Sequence, residues 1–482
     1  SFEKRTTVKK LANGLAILVC ERAEAPVVSF VTWVDVGSDR EVPGITGLAH
    51  MFEHMAFKGT EMIGTKDFRA ERAALEKVER TCAAYDLERR RGKNRDEQKV
   101  AALEEAWKDS LAAADKLAIE NEFGDVVERE GGAGLNAFTT YDATVFMYSF
   151  PVNRLELWAC LESDRFRNPV MRSFYKERDV VQEERRIAES NPDRRLFEQF
   201  LAAAFTAHPY GQPVIGWFSD LKSFTATDAM AFFTRHYVPA NMVVAVVGDV
   251  KTAEVLPLAE KYFGRLPAGT IPEPLRTVEP EQKAERQVVL HEAAQPMYLE
   301  GYHRPSVKDP DDAVYDAVAD ILSNGRTSRL YRSLVRDRKI AAYATGYSGY
   351  PGGKYPTMFI FNAITTPGHT TGELRDGIRA EIERIRNEDV SDDELRMAKA
   401  RAKADLVRRL GNNPGLAREL AHAQARFGDW RELFRAVERI GKVTKEDIRR
   451  VAGKTFVPEN RTMAYIESTG PAGAPVGKRG PP

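Results

Sequence analysis

The sequence predicts an α+β fold made of two homologous α/β domains, each a mainly antiparallel sheet with helices packed on it. The chain has 482 residues, 43% of them hydrophobic, which is enough apolar mass for two cores. The pattern Thr-x-x-Asp followed by Tyr-Val-Pro-x-Asn occupies residues 225–241 and returns, with Phe for Tyr, at 444–460. Each copy is typical of a helix, a loop containing proline and a strand, so we interpret the two copies as duplicated units.

Charge and cysteine content exclude several classes of function. The 71 basic side chains are balanced by 71 acidic ones, whereas binding to nucleic acid or to anionic lipid needs a clustered positive field. No apolar run is long enough to span a membrane. Cys20, Cys82 and Cys160 lie far apart and fit no metal or redox spacing, so we expect plain thiols. We therefore expect no nucleic acid partner and no membrane span.

The elements follow in chain order. Asn13-Gly14 is followed by two apolar runs, 15–19 and 27–36, which we interpret as an antiparallel pair of strands. Residues 66–119 show helical periodicity interrupted at 91–94, which predicts a helical hairpin. We treat this hairpin, about 66–122, as an insertion in the first domain.

Domain boundaries follow from composition. Proline and polar residues gather at 267–284, which predicts a linker between an N-terminal domain, 1–266, and a C-terminal domain, 285–468. Gly, Ala and Pro dominate residues 469–482, for which we predict disorder. The chain begins at Ser1 without an initiator methionine, so we expect that preceding residues have been removed.

One segment has the spacing of a metal site. Thr46 and Gly59 bracket a predicted helix with Thr46 as its N-cap. His50 and His54 stand one turn apart with Glu53 between them, and this is the spacing at which two imidazoles hold one tetrahedral ion. The apolar residues form the opposite stripe, which faces a core: Leu48, Met51, Phe52, Met55 and Ala56.

A third ligand must come from elsewhere, because a catalytic zinc normally has three protein ligands. The predicted helix 172–190 carries Glu177 and Glu184 two turns apart, in the middle of an apolar stripe formed by Phe174, Val181, Ile187 and Ala188 with Val180 at its edge. Buried carboxylates need a cation or hydrogen-bond donors. We therefore predict Glu184 as the third ligand and Glu177 as a supporting carboxylate. Salt bridges from either residue to Arg or Lys are the alternative.

These motifs resemble the inverted-motif zinc peptidases of the pitrilysin and insulinase family, the inverzincins. The resemblance rests on His50-x-x-Glu53-His54, the helix from Glu177 to Glu184 and the segments 135–139, 208–211 and 237–249. Within the family, the length resembles the short-chain subfamily that includes the mitochondrial processing peptidase and its bacterial relatives. Glu184 follows His54 at a longer distance than is usual there, and the hairpin insertion accounts for the excess.

The resemblance also implies substrate-binding residues. Residues 131–137 contain Gly-x-Gly-x-x-Ala, but a dinucleotide loop must open a helix and the following residues favour a strand. In the family that strand is an edge strand that pairs with the peptide, which implies this role for Asn136, Ala137 and Phe138. Arg336 and Tyr343 match a family Arg and Tyr that contact the substrate backbone and the oxyanion.

We therefore predict a zinc-dependent endopeptidase acting on peptides or unfolded polypeptide segments, with one Zn²⁺ per chain and Glu53 as general base. The alternative is a non-catalytic structural or chaperone-like subunit of a larger assembly. We expect a homodimer, or a heterodimer with a related chain, in which a partner supplies Arg336 and Tyr343 in trans. The compartment is unknown from the sequence; we expect a bacterial-type soluble protein, with the periplasm slightly favoured over the cytoplasm.

Overall fold

The computed structural model describes residues 2–469, which fold as two compact units of mixed helix and sheet. Unit 1 contains the residues up to 185 together with 214–274 and 412–425; unit 2 contains 186–213, 275–411 and the residues from 426 onward. The predicted linker at 267–284 is divided between them. The units therefore depart from chain order in two places: residues 186–213 belong to unit 2, and residues 412–425 belong to unit 1. The disorder predicted for 469–482 falls, except at Thr469, outside the described residues.

Unit 1 contains a six-stranded sheet. Its strands are β1 Thr6–Lys10, β2 Ala16–Glu21, β3 Val27–Val34, β4 Ala133–Thr139, β5 Thr144–Pro151 and β6 Met242–Gly248. They lie in the order β1-β2-β6-β3-β5-β4, with β6 parallel to β2 and all other neighbours antiparallel. β4 is therefore an edge strand.

The predicted pairing of the first two apolar runs is wrong. β6 lies between β2 and β3, and all seven of its residues are buried. An entirely apolar strand is most stable at the centre of a sheet, where both of its faces are covered. Asn13-Gly14 instead lies in the turn that joins β2 to β1, and Gly14 has a φ of 96°. Local periodicity indicated the strands but not their neighbours.

The helices of the chain, in order, have the following bounds: α1 Leu48–Met55, α2 Phe68–Arg89, α3 Glu97–Asp115, α4 Glu122–Arg129, α5 Leu155–Arg167, α6 Phe174–Ser190, α7 Pro192–Ala204, α8 Phe218–Leu221, α9 Ala226–His236, α10 Thr252–Tyr262, α11 Asp312–Ser323, α12 Thr371–Asn387, α13 Asp392–Arg409, α14 Asn413–Phe427, α15 Glu432–Lys442 and α16 Lys445–Thr455. The predicted hairpin consists of α2 and α3, joined by a 3₁₀ turn at Gly92–Asn94. Asp67 and Asp96 cap its two helices by accepting hydrogen bonds from backbone N–H groups.

Unit 2 repeats this plan. Its strands are β7 Arg286–Glu292, β8 Met297–Arg304, β9 Ala341–Tyr350, β10 Thr357–Thr365 and β11 Arg461–Ser468, in the order β7-β11-β8-β10-β9. β11 is parallel to β7 and antiparallel to β8, as β6 is to β2 and β3. Without β1, the two sheets thus have the same strand order. The predicted α+β fold with two homologous halves is confirmed.

The repeated sequence pattern has one structural meaning in both units. Thr225 and Thr444 each cap a helix through a reciprocal pair of hydrogen bonds with the Asp three residues later. A 3₁₀ turn at the proline and the central strand of the sheet follow in each case. Among the described helices, none is long and apolar enough to cross a membrane.

Candidate metal centre

Helix α1 is fixed in unit 1 by its apolar face. Leu48, Met51, Phe52 and Met55 are all buried, and the Phe52 ring stacks on that of Phe233 with centroids 4.7 Å apart. His50, Glu53 and His54 lie on the other face and are partly exposed. Packing of the predicted stripe therefore holds the polar face of the helix in one orientation.

The start of α1 differs from the prediction. Thr46 is not the N-cap, because its hydroxyl donates to Asp220 over 2.7 Å. The cap position is Gly47, and the backbone N–H groups of Gly47 and Ala49 each donate to the Glu41 carboxylate over 2.7 Å. Burial raises the pKa of Glu41 to about 8, against the effect of these two hydrogen bonds. The helix also ends at Met55, before Gly59.

The two histidines meet Glu184 of helix α6. Nε2 of His50 and Nε2 of His54 each lie 3.8 Å from Oε2 of Glu184, and the ligand atoms of the three residues all lie within 4.8 Å of one another. In residues 2–469 this is the one group of three or more His, Cys, Asp or Glu side chains found close enough to hold a metal ion. A tetrahedral site with bonds of about 2.1 Å needs ligand atoms about 3.4 Å apart, so small side-chain movements suffice. The residues fit a zinc ion.

Glu177 orients His54 from behind. Its Oε1 lies 2.9 Å from Nδ1 of His54, and its Oε2 lies 2.5 Å from Nζ of Lys58. A hydrogen bond at Nδ1 leaves Nε2 as the ligand atom and makes the imidazole more basic. Glu177 is thus placed to support the metal site without being a ligand. Nδ1 of His50 is buried and has no hydrogen-bond partner within the described residues.

Glu53 lies between the two histidines in the sequence of α1, beside the group of possible metal ligands. Its Oε2 accepts a hydrogen bond of 2.6 Å from the hydroxyl of Thr139, the last residue of β4. Burial raises the pKa of Glu53, and the hydrogen bond from Thr139 only partly offsets this effect. A carboxylate whose pKa is raised in this way is a stronger base when ionised than one in water.

The two imidazoles have opposite pKa shifts. Burial, followed by the nearby His54, lowers the pKa of His50 to about 3. Burial acts in the same direction on His54, but the hydrogen bond to Glu177 and the charges of Glu184, Glu177 and Glu53 outweigh it and raise its pKa. Burial opposes ionisation of Glu177, yet hydrogen bonds from His54 and Lys58 lower its pKa. His50 is therefore ready to bind a metal, whereas a proton competes for His54.

Helix α6 presents its glutamates differently from the prediction. Phe174, Val181 and Ala188 are buried as expected, but Val180 and Ile187 are 44% and 61% exposed. Because Val180, Glu184 and Ile187 recur at helical spacing, they share one face, and this face is open to solvent. The apolar stripe is narrower than predicted, and Glu184, whose side chain is 41% exposed, lies at its solvent side. Glu183, the preceding residue, is exposed.

A pocket of about 530 Å³ adjoins the metal-binding residues. Glu53, His54 and Glu177 line one side, and Asn136 and Ala137 of the edge strand β4 line another. The residues that follow the hairpin, 118–121, close a third side. Phe138, the next residue of β4, pairs with Val145 of β5 and is half-buried. Two of the three predicted substrate-binding residues thus line the same pocket as the predicted base.

Arg336 and Tyr343 lie in unit 2. Arg336 belongs to the π-helical segment Tyr331–Asp337 and its guanidinium lies 2.6 Å from the Asp337 carboxylate. Tyr343 lies on β9, the edge strand of the second sheet, and is 49% exposed. Both side chains are accessible.

Three residues of the site escaped the sequence analysis. Lys58 follows His54 by four residues, and this i, i+4 spacing could have indicated that the two side chains lie on the same side of the chain. Thr139 falls within the segment 135–139 that carries the resemblance, but its hydrogen bond to Glu53 joins elements distant in sequence. Glu41 lies outside the helix, and no local pattern indicates the role of either residue.

Family models match most of the chain. The model described as Insulinase (Peptidase family M16) matches residues 17–85 and 113–216, and the model described as Peptidase M16 inactive domain matches residues 223–402. The interval between the two segments of the first model, residues 86–112, covers the end of α2, the turn and most of α3, and there the chain does not match the family model.

Individual proteins agree with the family match. The chain is 27% identical to the zinc protease PqqE of Helicobacter pylori, over 95% of this chain and 91% of that protein. It is 24% identical to the mitochondrial-processing peptidase subunit beta of Saccharomyces cerevisiae, over 92% of this chain and 87% of that subunit. The crystal structure of a protease from Helicobacter pylori has a TM-score of 0.80 at 25% identity and covers 96% of this chain and 99% of its own.

Proposed function

The chain belongs to the M16 peptidase (insulinase) family, and from this premise we propose that it is a zinc-dependent endopeptidase that hydrolyses peptides or unfolded polypeptide segments. The observation that carries the proposal is the approach of His50, His54 and Glu184 to within 4.8 Å, with Glu53 on the same face of α1. An intact set of ligands and base is what hydrolysis requires and what a purely structural subunit does not need.

His50, His54 and Glu184 would hold one Zn²⁺ through two imidazole nitrogens and a carboxylate oxygen. Bound there, the ion supplies a Lewis acid that polarises the scissile carbonyl and acidifies a water. Glu177 keeps the His54 ring in the tautomer and orientation that present Nε2.

Glu53 is the proton carrier of the reaction. Its carboxylate takes a proton from the attacking water while the water oxygen adds to the carbonyl carbon, and the same carboxyl then gives the proton to the leaving amine nitrogen. The Thr139 hydroxyl holds one carboxylate oxygen in place and leaves the other to receive the proton. Because Thr139 ends β4, the base and the edge strand are held together.

The edge strand β4 is the proposed docking element for the substrate. An edge strand has free backbone N–H and C=O groups on one side, and an extended peptide can pair with them. Asn136 and Ala137 lie where such a peptide would pass the pocket that contains Glu53. Backbone pairing fits a peptidase that acts on unfolded segments, because it is independent of side-chain sequence.

Arg336 and Tyr343 are proposed to contact the substrate backbone and the developing oxyanion. They belong to unit 2, whereas the zinc-binding residues belong to unit 1. We propose that the chain works as a homodimer, or as a heterodimer with a related chain, and that a partner's unit 2 completes each site in trans. The slight preference for the periplasm over the cytoplasm stays a prediction.

A cleavage assay tests the proposal. Purified protein is stripped with a chelator, reconstituted with Zn²⁺ and incubated with an internally quenched, unstructured peptide. We expect cleavage that disappears with chelation and returns with zinc. Stoichiometric zinc without cleavage of a diverse peptide set would instead favour the non-catalytic subunit.

A further inference from the structure

A second cavity lies beneath the α2–α3 hairpin. Its volume is about 840 Å³, within the range of natural ligand pockets. It lies between α2, α3, α9 and the first turn of α6, all within unit 1. The apolar side chains that line it include Phe68, Leu75, Leu111, Phe174 and Met230. We call this space the hairpin cavity.

The apolar lining extends along two helices. On α2 it runs from Phe68 to Glu79, about 16 Å at the rise of an α-helix. On α9 it runs from Ala226 to Arg235. Several of the residues that line it, Ala231 among them, are exposed, so the cavity is open to solvent along one side. Its shape therefore suits a long apolar chain rather than a compact one.

Carboxylates dominate the charged rim. Glu79 accepts hydrogen bonds from the hydroxyls of Tyr175 and Thr227, and Asp115 accepts one from Ser173. These donors carry no charge and so do not neutralise the Glu79 carboxylate, whereas Asp115 also faces the charge of Lys176. Glu76 has no ion-pair partner within residues 2–469, whereas Glu61 is paired with Arg72 at 3.1 Å.

A single cation of the rim is uncompensated. Arg235, in the last turn of α9, has no carboxylate within ion-pair distance in the described part of the chain. Two carboxylates without an ion-pair partner in the described residues, Glu76 and Glu79, against one guanidinium give the rim a net negative charge. The complementary ligand therefore has an apolar body and a positive head group.

The cavity shares one residue with the pocket beside the candidate metal site. Ser173 lines both the hairpin cavity and the pocket that contains Glu53 and His54. It has a φ of 53°, which is uncommon for a residue other than glycine, and its carbonyl accepts the N–H of Glu177 over 3.0 Å. Phe174 and Tyr175, the next two residues, also line the cavity, so the segment that a ligand would contact leads directly into the turn that holds Glu177.

We propose that the hairpin cavity is a binding site for a cationic amphiphile, a long alkyl chain bearing an amine, and that its occupation steadies the start of α6 and slows zinc release. The alkyl chain lies along the apolar residues between α2 and α9, and the ammonium group lies at the Glu76 side of the rim. The binding itself is independent of the proposed peptidase activity; only the coupling rests on the proposed zinc site.

Calorimetric titration of metal-free protein tests the binding. Dodecylamine, used below its micellar concentration, should saturate one site per chain and bind more tightly than dodecanoate of equal chain length. Ala231→Trp, which fills the cavity from an exposed helix position, should weaken the binding of dodecylamine more than about tenfold. Glu76→Gln should weaken it about two- to fivefold at low salt, and Glu105→Gln, an exposed change on α3 away from the cavity, should not.

The opposite results are decisive. Absence of saturable binding, or binding that neither Ala231→Trp nor Glu76→Gln affects, would overturn the site. Tighter binding of dodecanoate would overturn the assigned charge. Saturable binding of a basic amphipathic peptide in place of dodecylamine would overturn the small-molecule assignment and make the cavity a protein-docking groove.

Zinc transfer to a chromophoric chelator tests the coupling. In zinc-loaded protein, saturating dodecylamine should slow the transfer at least about twofold, and the same addition to Ala231→Trp should change nothing. An unchanged rate in the native protein despite saturable binding would refute the coupling. A protein that binds no zinc at all would refute the peptidase proposal, while the titration of the metal-free protein would still decide the cavity proposal.

Discussion

The two units have sheets of the same strand order and differ in the polar side chains that they carry. The order β2-β6-β3-β5-β4 of unit 1 is repeated as β7-β11-β8-β10-β9 in unit 2, and the same capping box precedes the central strand of each. Helix α1 follows β3 and carries two histidines and a glutamate, whereas α11 follows β8 and carries none of these residue types. The fold thus depends on burial pattern and caps, which both copies keep, and the chemistry depends on a few polar side chains, which one copy has.

The edge strands continue this comparison. β4 ends in Thr139, which holds the proposed base, and β9 carries the exposed Tyr343. At the same position in two related sheets, one edge strand therefore donates a hydrogen bond to Glu53 and the other exposes the phenol of Tyr343. If the trans proposal is right, the two edge strands contribute complementary groups to one reaction.

The largest effect should come from removing the base. In Glu53→Gln the ligands His50, His54 and Glu184 are untouched, so zinc content should stay near that of the native protein. Turnover should fall by about three orders of magnitude or more, because the amide cannot accept the proton. Peptide cleavage and metal analysis of the same sample check this. Cleavage within a few fold of the native rate would remove Glu53 from the mechanism.

Mixed dimers test the division of labour between the units. Glu53→Gln and Arg336→Ala homodimers should both be nearly inactive. After co-refolding, one site of each mixed dimer combines an intact Glu53 with a partner's intact Arg336, so about a quarter of the native activity should return if pairing is statistical. Demonstrated mixed dimers without any recovery would mean that each chain completes its own site.

Glu177→Gln should have an intermediate effect on the metal. Losing the charged partner of His54 should weaken zinc binding about 10- to 100-fold at neutral pH. The pH dependence of zinc binding distinguishes this specific effect from a general loss of structure. Glu177 raises the pKa of His54, so in the native protein protons compete with zinc already above the ordinary pKa of histidine, about 6.5. Without Glu177 the pKa of His54 falls, so the pH below which the zinc Kd begins to rise should move to a lower value, even though the variant binds zinc more weakly at neutral pH. An unchanged break in a plot of log Kd against pH would contradict the role of Glu177.

The smallest effects should be equal in the two units. Thr225→Ala and Thr444→Ala each remove a cap that accepts a helix N–H group, at a cost of about 0.5–2 kcal/mol in the free energy of unfolding. Neither change should alter zinc content, because neither residue contacts the site. Urea unfolding of both variants, followed by circular dichroism, measures the two changes in the free energy of unfolding. A loss of zinc in Thr225→Ala alone would show that this cap serves the site as well as the fold.

The sequence revealed whatever depends on local spacing. The buried stripe of α1, its histidine pair, the α2–α3 hairpin and the duplicated caps all follow from residues within a few turns of one another. Residues Glu177 and Glu184 could be selected because carboxylates beside the apolar residues of a helix require a partner.

What failed depends on distant contacts. β6 separates β2 from β3 although it is more than two hundred residues away in sequence, and Asp220 takes the hydroxyl of Thr46 that was predicted to cap α1. The helical pattern predicts Val180 and Ile187 in or beside a buried stripe, but both side chains stay largely exposed in the described structure. The hairpin cavity is likewise formed by helices from separate parts of the chain and has no local signature.

The central claim is that His50, His54 and Glu184 of unit 1 form the zinc site, and metal stoichiometry tests it most directly. Native protein, Glu184→Gln and the matched control Glu183→Gln, which alters an exposed neighbour on the same helix, are stripped, reconstituted with Zn²⁺ and desalted together. We predict one zinc per chain in the native protein and in Glu183→Gln, and a more than hundredfold weaker site in Glu184→Gln. Native protein without stoichiometric zinc, or Glu184→Gln that retains zinc as the control does, would contradict the account.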